Sequence, residues 1–248
     1  MSKKLVITGA SRGIGNALVQ LASAYGHSVY ALSRNISQIK KTAQVNPIEI
    51  DITDENTLSV FLDQLQKEGV KIDALINNAG VLINKPFGET SAEDFELVYR
   101  VNVFGLASLT RILIPFIEPK GHVVNISSIG GIDGSSKFPG LAAYSSSKGA
   151  VNILTELLAE EYKDTGPAFN SLALGAVQTE MLSQAFPGFQ AKVTAKDIAN
   201  YILKFALEGQ QFFNGKVIPS FIINTLKELW IKFYLLFLKN LKPRFISF

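Results

Sequence analysis

Cysteine is absent from this 248-residue sequence. That excludes a disulfide scaffold, a thiolate zinc site and a cysteine nucleophile. Histidine is nearly absent: His27 and His122 are the only two. Both stand near the starts of apolar runs, no carboxylate cluster has metal-ligand spacing, and so no metal is expected. Charge is sparse, at 18% of residues and a formal net of +3, against 47% hydrophobic. An extended disordered chain is excluded, because that much apolar surface can be buried. No secretory leader is expected, since Leu5-Val6-Ile7 breaks at once into Thr8-Gly9, far short of an apolar leader core. The chain is therefore expected to fold in the cytoplasm.

The small charge is unevenly placed. Residues 216–248 hold Lys216, Lys227, Lys232, Lys239, Lys242 and Arg244 against Glu228 alone, a net of +5. The preceding 215 residues hold 18 basic and 20 acidic residues, a net of −2. A basic body that binds nucleic acid is not expected.

The length suits one α/β domain, and short β-branched runs alternate with longer helical stretches. Strands are expected over residues 4–8, 28–32, 47–50, 73–77 and 122–127, and helices over 15–25 and 54–67. Ser91-Ala92-Glu93-Asp94 has the form of a capping box. This alternation predicts a doubly wound parallel sheet in a three-layer α/β/α arrangement, a Rossmann fold, with ligands beyond the carboxyl ends of the strands. With no internal repeat or linker, residues 1–215 read as one dinucleotide-binding and catalytic domain. Residues 130–140, rich in glycine and serine, read as a loop over the site.

Three motifs fall at expected strand ends. Thr8-Gly9-Ala10-Ser11-Arg12-Gly13-Ile14-Gly15 follows the first strand and opens the first helix, where glycines let the backbone approach a pyrophosphate. Asn77-Asn78-Ala79-Gly80 follows the fourth strand. Tyr144 and Lys148 stand four apart, so one helix face presents both. Together these resemble the T-G-x-x-x-G-x-G, N-N-A-G and Y-x-x-x-K motifs of the short-chain dehydrogenase/reductase family, in order and over residues 4 to about 215. The resemblance implies a nicotinamide dinucleotide held by Gly9, Ser11, Arg12, Gly13, Ile14 and Gly15, by Asn78, Ala79 and Gly80, and by Asp51 at the adenine. The second strand ends Ala31-Leu32-Ser33-Arg34, with no acid before Glu49. Arg34 and Arg12 without a carboxylate favour the 2′-phosphate of NADP(H), with NAD(H) as the alternative.

Reduction of a carbonyl needs a proton for the forming alkoxide, and an ammonium beside Tyr144 is expected to bring its phenol nearer neutrality. The resemblance implies that Tyr144 is the proton donor and that Lys148 also bonds the nicotinamide ribose. It implies that Asn102 completes a proton relay and that a serine after the fifth strand bonds the substrate oxygen. Ser127 and Ser128 are both candidates for that serine, and Ser128 is preferred because the family usually uses the second. Val177 and Thr179 match positions at the carboxamide, whereas Leu174-Gly175 replaces the usual P-G. The apolar stretch 181–189 lies where the family has its lid and points either to an uncharged or hydrophobic substrate or to packing of the lid onto the body.

Asn214-Gly215-Lys216-Val217-Ile218 reads as the last strand, after which the family usually ends soon, but here the chain continues. Residues 216–248 hold seven of the 25 aromatics, including Trp230. Residues 221–242 carry an apolar helical stripe through Ile222, Leu226, Leu229 and Phe233. Near the end, the longest charge-free run, residues 233–238, is far shorter than the about 18 residues of a spanning helix. An added helix is expected, making a peripheral membrane contact, covering the domain or a partner subunit, or simply replacing the usual ending. The whole is expected to be an NADPH-dependent carbonyl reductase, reversible, acting on a small molecule as a homodimer or homotetramer. The alternative is a nucleotide-sensing binding protein docked through its tail.

Overall fold

The computed structural model describes residues 2–220. Seven parallel strands form one sheet: β1 (Lys4–Thr8), β2 (Ser28–Ser33), β3 (Val45–Glu49), β4 (Ile72–Asn77), β5 (Ile117–Ser128), β6 (Ala168–Leu174) and β9 (Lys216–Ser220). Their order is β3-β2-β1-β4-β5-β6-β9. Strands β7 (Val177–Gln178) and β8 (Val193–Thr194) pair separately. The central strands are apolar on both sides, as a sheet covered on both faces requires. Leu5 and Ile7 of β1 belong to one core cluster, whereas Val6 between them belongs to the other, following the alternation of side chains along a strand.

One face is covered by α1 (Gly13–Ala24) and α7 (Ala195–Glu208), the other by α2 (Glu55–Glu68), α4 (Leu106–Leu113) and α5 (Ala142–Glu161). In α1 the buried Gly15, Leu18, Val19 and Ala22 recur at helical spacing. Helix α2 starts on Asp54, whose carboxylate accepts from Asn56 N, and stops at Gly69 in the left-handed conformation. The capping box read at Ser91 is present at the start of α3 (Ala92–Tyr99). Among the described residues, the helical stretch Ala92–Phe116 is long and apolar enough to cross a membrane by length and composition. Its later part packs into the core, with Leu109 and Leu113 fully buried.

The strand limits depart most from the sequence reading in β3 and β5. Strand β3 begins at Val45 and includes Pro47, which an edge strand tolerates because its other side needs no N–H donor. Strand β5 begins at Ile117, five residues before His122, with a register shift against β4 between Ile72 and Ala74. Lys216–Ser220 pairs with β6 as the last strand, where the sequence reading placed a strand ending at Ile218. The helix expected over 221–242 lies outside the described residues.

Strand β1 lies between β2 and β4, so successive connections run outward in opposite directions from it. That reversal opens a crevice at the carboxyl ends. Both histidines sit away from it. His27 Nδ1 accepts from Lys3 N, and His122 is buried with Nδ1 against Ala206 O at 3.3 Å and Nε2 against Asn170 Nδ2 at 2.9 Å.

Candidate active site

The crevice holds a cavity of about 490 Å³. At one end lies the turn between β1 and α1. Gly9 and Gly13 have φ of 65° and 54°, and a Cβ on Gly15 would stand 2.1 Å from Gly9 O, so the backbone folds back on itself as only glycine permits. The second motif locks the first: Thr8 Oγ1 accepts from Asn78 N and Ala79 N, both at 2.9 Å, and Asn78 Nδ2 donates to Thr8 O. Helix α1 has no side-chain cap at Arg12 and no acid in its first turn. Its first N–H groups are left for an outside acceptor, the arrangement that suits a phosphate. This cradle fits the pyrophosphate of a dinucleotide.

Ser33, Arg34, Asp51 and the apolar Leu32, Ile50 and Ile52 line the cavity beyond the turn. Asp51 Oδ1 accepts from Thr53 N and Oγ1 at 2.9 and 2.8 Å. Arg12 and Arg34 share this wall, and among the described residues neither forms an ion pair.

At the other end, α5 brings Tyr144 and Lys148 to the cavity wall. Lys148 Nζ stands 5.8 Å from the Tyr144 ring centre and donates to Ile126 O at 2.8 Å. Burial holds Lys148 down to about 8. Burial also pushes the Tyr144 phenol up to about 12, while the neighbouring Ser128 hydroxyl draws it partly back. The phenol thus lies above its ordinary value and not below it as expected, because its charged form loses water here. Over the neutral range the phenol keeps its proton.

The two candidate serines separate in the structure. Ser127 Oγ donates to Lys148 O at 3.2 Å, pinning α5. Ser128 stands beside the phenol, its Oγ accepting from Gly130 N at 3.3 Å. Asn102 is fully buried in a π-helical turn, Arg100–Gly105, between α3 and α4. Its Oδ1 accepts from Val81 N at 2.8 Å, and its Nδ2 donates to Val81 O and Ser147 Oγ, each at 3.0 Å. Asn102 thus holds the segment after the N-N-A-G motif against α5 from behind the wall.

Of the residues singled out in the sequence, all but Gly15 and Asn102 line the cavity. Val177 and Thr179 lie after β6, where Gly175 N donates to Ser220 O at 3.2 Å. Thr179 caps α6 (Glu180–Ala185). Met181, Leu182, Phe186 and Phe189 form an apolar wall there, with Phe138 and Leu141 across from them. Sequence reasoning missed Phe138, Leu141 and Ser147. The first two sit among loop residues with no periodicity, and Ser147 was hidden inside the Tyr-Lys spacing, although it is the residue that joins Asn102 to the helix.

A family model for short chain dehydrogenases matches residues 3–188. Cyclopentanol dehydrogenase of Comamonas sp. is 32% identical over 192 residues, covering 73% of this chain and 76% of the relative. Among solved structures, 4-hydroxyisoleucine dehydrogenase complexed with NADH is 26% identical with a TM-score of 0.78, covering 88% of this chain and 96% of that one. ElxO with NADP bound is 28% identical with a TM-score of 0.76, covering 88% and 97%. This protein belongs to the short-chain dehydrogenase family and is an oxidoreductase of alcohol and carbonyl groups.

Proposed function

We propose that the chain reduces an uncharged ketone or aldehyde to an alcohol with NADPH, reversibly, with Tyr144 as proton donor. The observation that carries this is the pairing of a proton-holding phenol with Lys148 and Ser128 on one apolar cavity wall. Gly9, Ser11, Arg12, Gly13, Ile14 and Gly15 with Asn78, Ala79 and Gly80 would hold the dinucleotide, Asp51 its adenine, and Val177 and Thr179 its carboxamide. A bound nicotinamide would supply the hydride. Ser128 donates a hydrogen bond to the substrate oxygen, and Tyr144 passes its proton to that oxygen as charge develops there. Lys148, steadied through Ile126 O, stands ready to restore the proton, and Asn102 keeps Gly80 and Val81 beside it. Arg12 and Arg34 support NADP(H) over NAD(H), since guanidinium groups suit a 2′-phosphate.

The apolar lid supports an uncharged substrate. Leu97 and Phe104 on one helical stretch and Ile153 and Leu157 on α5 are exposed apolar side chains, which supports a homodimer through this face. The basic, aromatic sequence of residues 220–248 supports a peripheral membrane or subunit contact. The intact Tyr144, Lys148 and Ser128 set weighs against a binding protein without catalysis.

The test follows NADPH and NADH absorbance with ketones and aldehydes that include cyclopentanone. The parent should turn over at least one of them, faster with NADPH. Tyr144→Phe should lose about 10²–10⁴-fold in kcat while still binding NADPH. Turnover that survives this substitution removes Tyr144 from its role, and tight NADPH binding by a parent inert to the whole panel favours the binding protein.

A further inference from the structure

The loop between β5 and α5 contains a cation that the proposed reaction does not use. Lys137 Nζ donates to Gly130 O at 2.9 Å, Ile132 O at 2.5 Å and Ser135 Oγ at 3.1 Å. All three acceptors are neutral and lie within seven residues of it. Among the described residues Lys137 has no ion-pair partner, and the nearby Asp133 carboxylate is turned to Gly134 N at 2.9 Å.

The chain of hydrogen bonds continues past the ammonium. Ser135 Oγ lies against two carbonyls, Ile129 O and Ile132 O, and its single proton serves one at a time. The Ile129 carbonyl and the Gly130 N–H are two ends of one peptide unit. That N–H donates to Ser128 Oγ at 3.3 Å. The run is thus ammonium, hydroxyl, peptide, hydroxyl, every donor pointing the same way, and such runs polarise along their length. The loop is also fixed in place. A Cβ on Gly131 would stand 2.6 Å from the carbonyl carbon of Lys148, and Gly131 O accepts from Asn152 Nδ2 at 3.1 Å. The loop backbone therefore lies directly on α5, and its charge reaches Ser128 through a short, held path.

We propose that Lys137 is a positioning residue: through the Ser135 hydroxyl and the Ile129–Gly130 peptide, its ammonium orients the Ser128 hydroxyl toward the substrate oxygen and strengthens its donation. Gly130 N–H occupies a lone pair of Ser128 Oγ, so the Ser128 proton is turned away from the loop and toward the cavity. A stronger donor at that point stabilises charge that exists only as the carbonyl is reduced, so the effect falls on kcat more than on KM. The inference rests on the reading of Ser128 given above.

The test uses the full chain with NADPH and cyclopentanone as the carbonyl probe. It compares Ser128→Ala, Lys137→Met, Lys137→Arg, Ser135→Ala and the Lys137→Met/Ser135→Ala double variant. Ser128→Ala should lose about 10²–10³-fold in kcat, as for removal of an oxyanion donor. Lys137→Met and Ser135→Ala should each lose about three- to tenfold in kcat with KM little changed, since each weakens that donor without removing it. The double variant should be no worse than either single one, because both cut the same path. Lys137→Arg should keep most of kcat. A readout without turnover is the amide proton of Gly130 by NMR, which should move upfield in Lys137→Met and Ser135→Ala but not in Lys137→Arg.

A harmless Ser128→Ala would overturn the reading of Ser128 and the relay with it. A damaging Ser128→Ala beside a harmless Lys137→Met would overturn the relay alone. Additive losses in the double variant, equal losses in the Met and Arg variants, or an unmoved Gly130 amide would reduce Lys137 to a loop tether and overturn its positioning role.

Discussion

Lys148 is a buried amine whose working charge is only just retained at neutral pH. Its value of about 8 lies below that of the Tyr144 phenol, at about 12, so the lysine titrates first as pH rises. Carbonyl reduction is then expected to hold its kcat/KM below pH 8 and to fall as pH rises through 8, while Tyr144 still carries its proton. A pH–rate profile of NADPH-dependent reduction checks this, and a flat profile to pH 10 would show that the ammonium charge is not needed. At this scale the sequence was informative because Tyr144 and Lys148 need only helical spacing to meet. It pointed the other way on the phenol shift, because the burial that raises it is set by the folded cavity and not by local spacing.

Elements decide what single residues do, and the π-helical turn at Arg100–Gly105 is the clearest case. The apolar pattern of Ala92–Phe116 reads as an ordinary helix, and nothing in residue spacing marks one turn as wider. Yet that turn, a form that recurs at functional sites, holds Asn102 in the interior with three bonds to Val81 and Ser147. Asn102→Ala would leave the Val81 N–H and C=O without partners. A loss of about 2–3 kcal/mol is expected from buried groups left unpaired, read as a lower urea midpoint at unchanged slope. The strand and helix alternation, by contrast, was legible from Lys4 to Ser127, since β-branched runs such as Leu5-Val6-Ile7 and capping residues such as Ser91 act locally. The lid and the loop 130–140 were legible only as loops, because turn residues there carry no period that says what they face.

Across the whole molecule, one feature ties the layers together and another faces outward. His122 in β5 is bonded to Asn170 in β6 and Ala206 in α7, and lies 5.2 Å from the Phe205 ring. Burial lowers its value from 6.5 to about 4, so the fold takes it neutral, while the unfolded chain binds its proton below 6.5. Its contribution is complete above pH 6.5 and is lost as pH falls toward 4, roughly 3 kcal/mol at about 1.4 kcal/mol per unit. Urea unfolding at pH 7 and at pH 4.5 should therefore differ more for the parent than for His122→Gln. The second feature is the exposed face of Leu97, Phe104, Ile153 and Leu157. Leu157→Glu is expected to shift sedimentation of a dimer to that of a monomer; an unchanged assembly would place the contact elsewhere.

The bond from Gly175 N to Ser220 O also has a practical side. It leaves the carboxyl end of β9 on the rim of the cavity, whereas Lys4 begins β1 at the far end of the same parallel sheet. For immobilisation, fluorescent labelling or fusion, an attachment ahead of Lys4 leaves the mouth clear, and one grafted directly after Ser220 would begin at its edge.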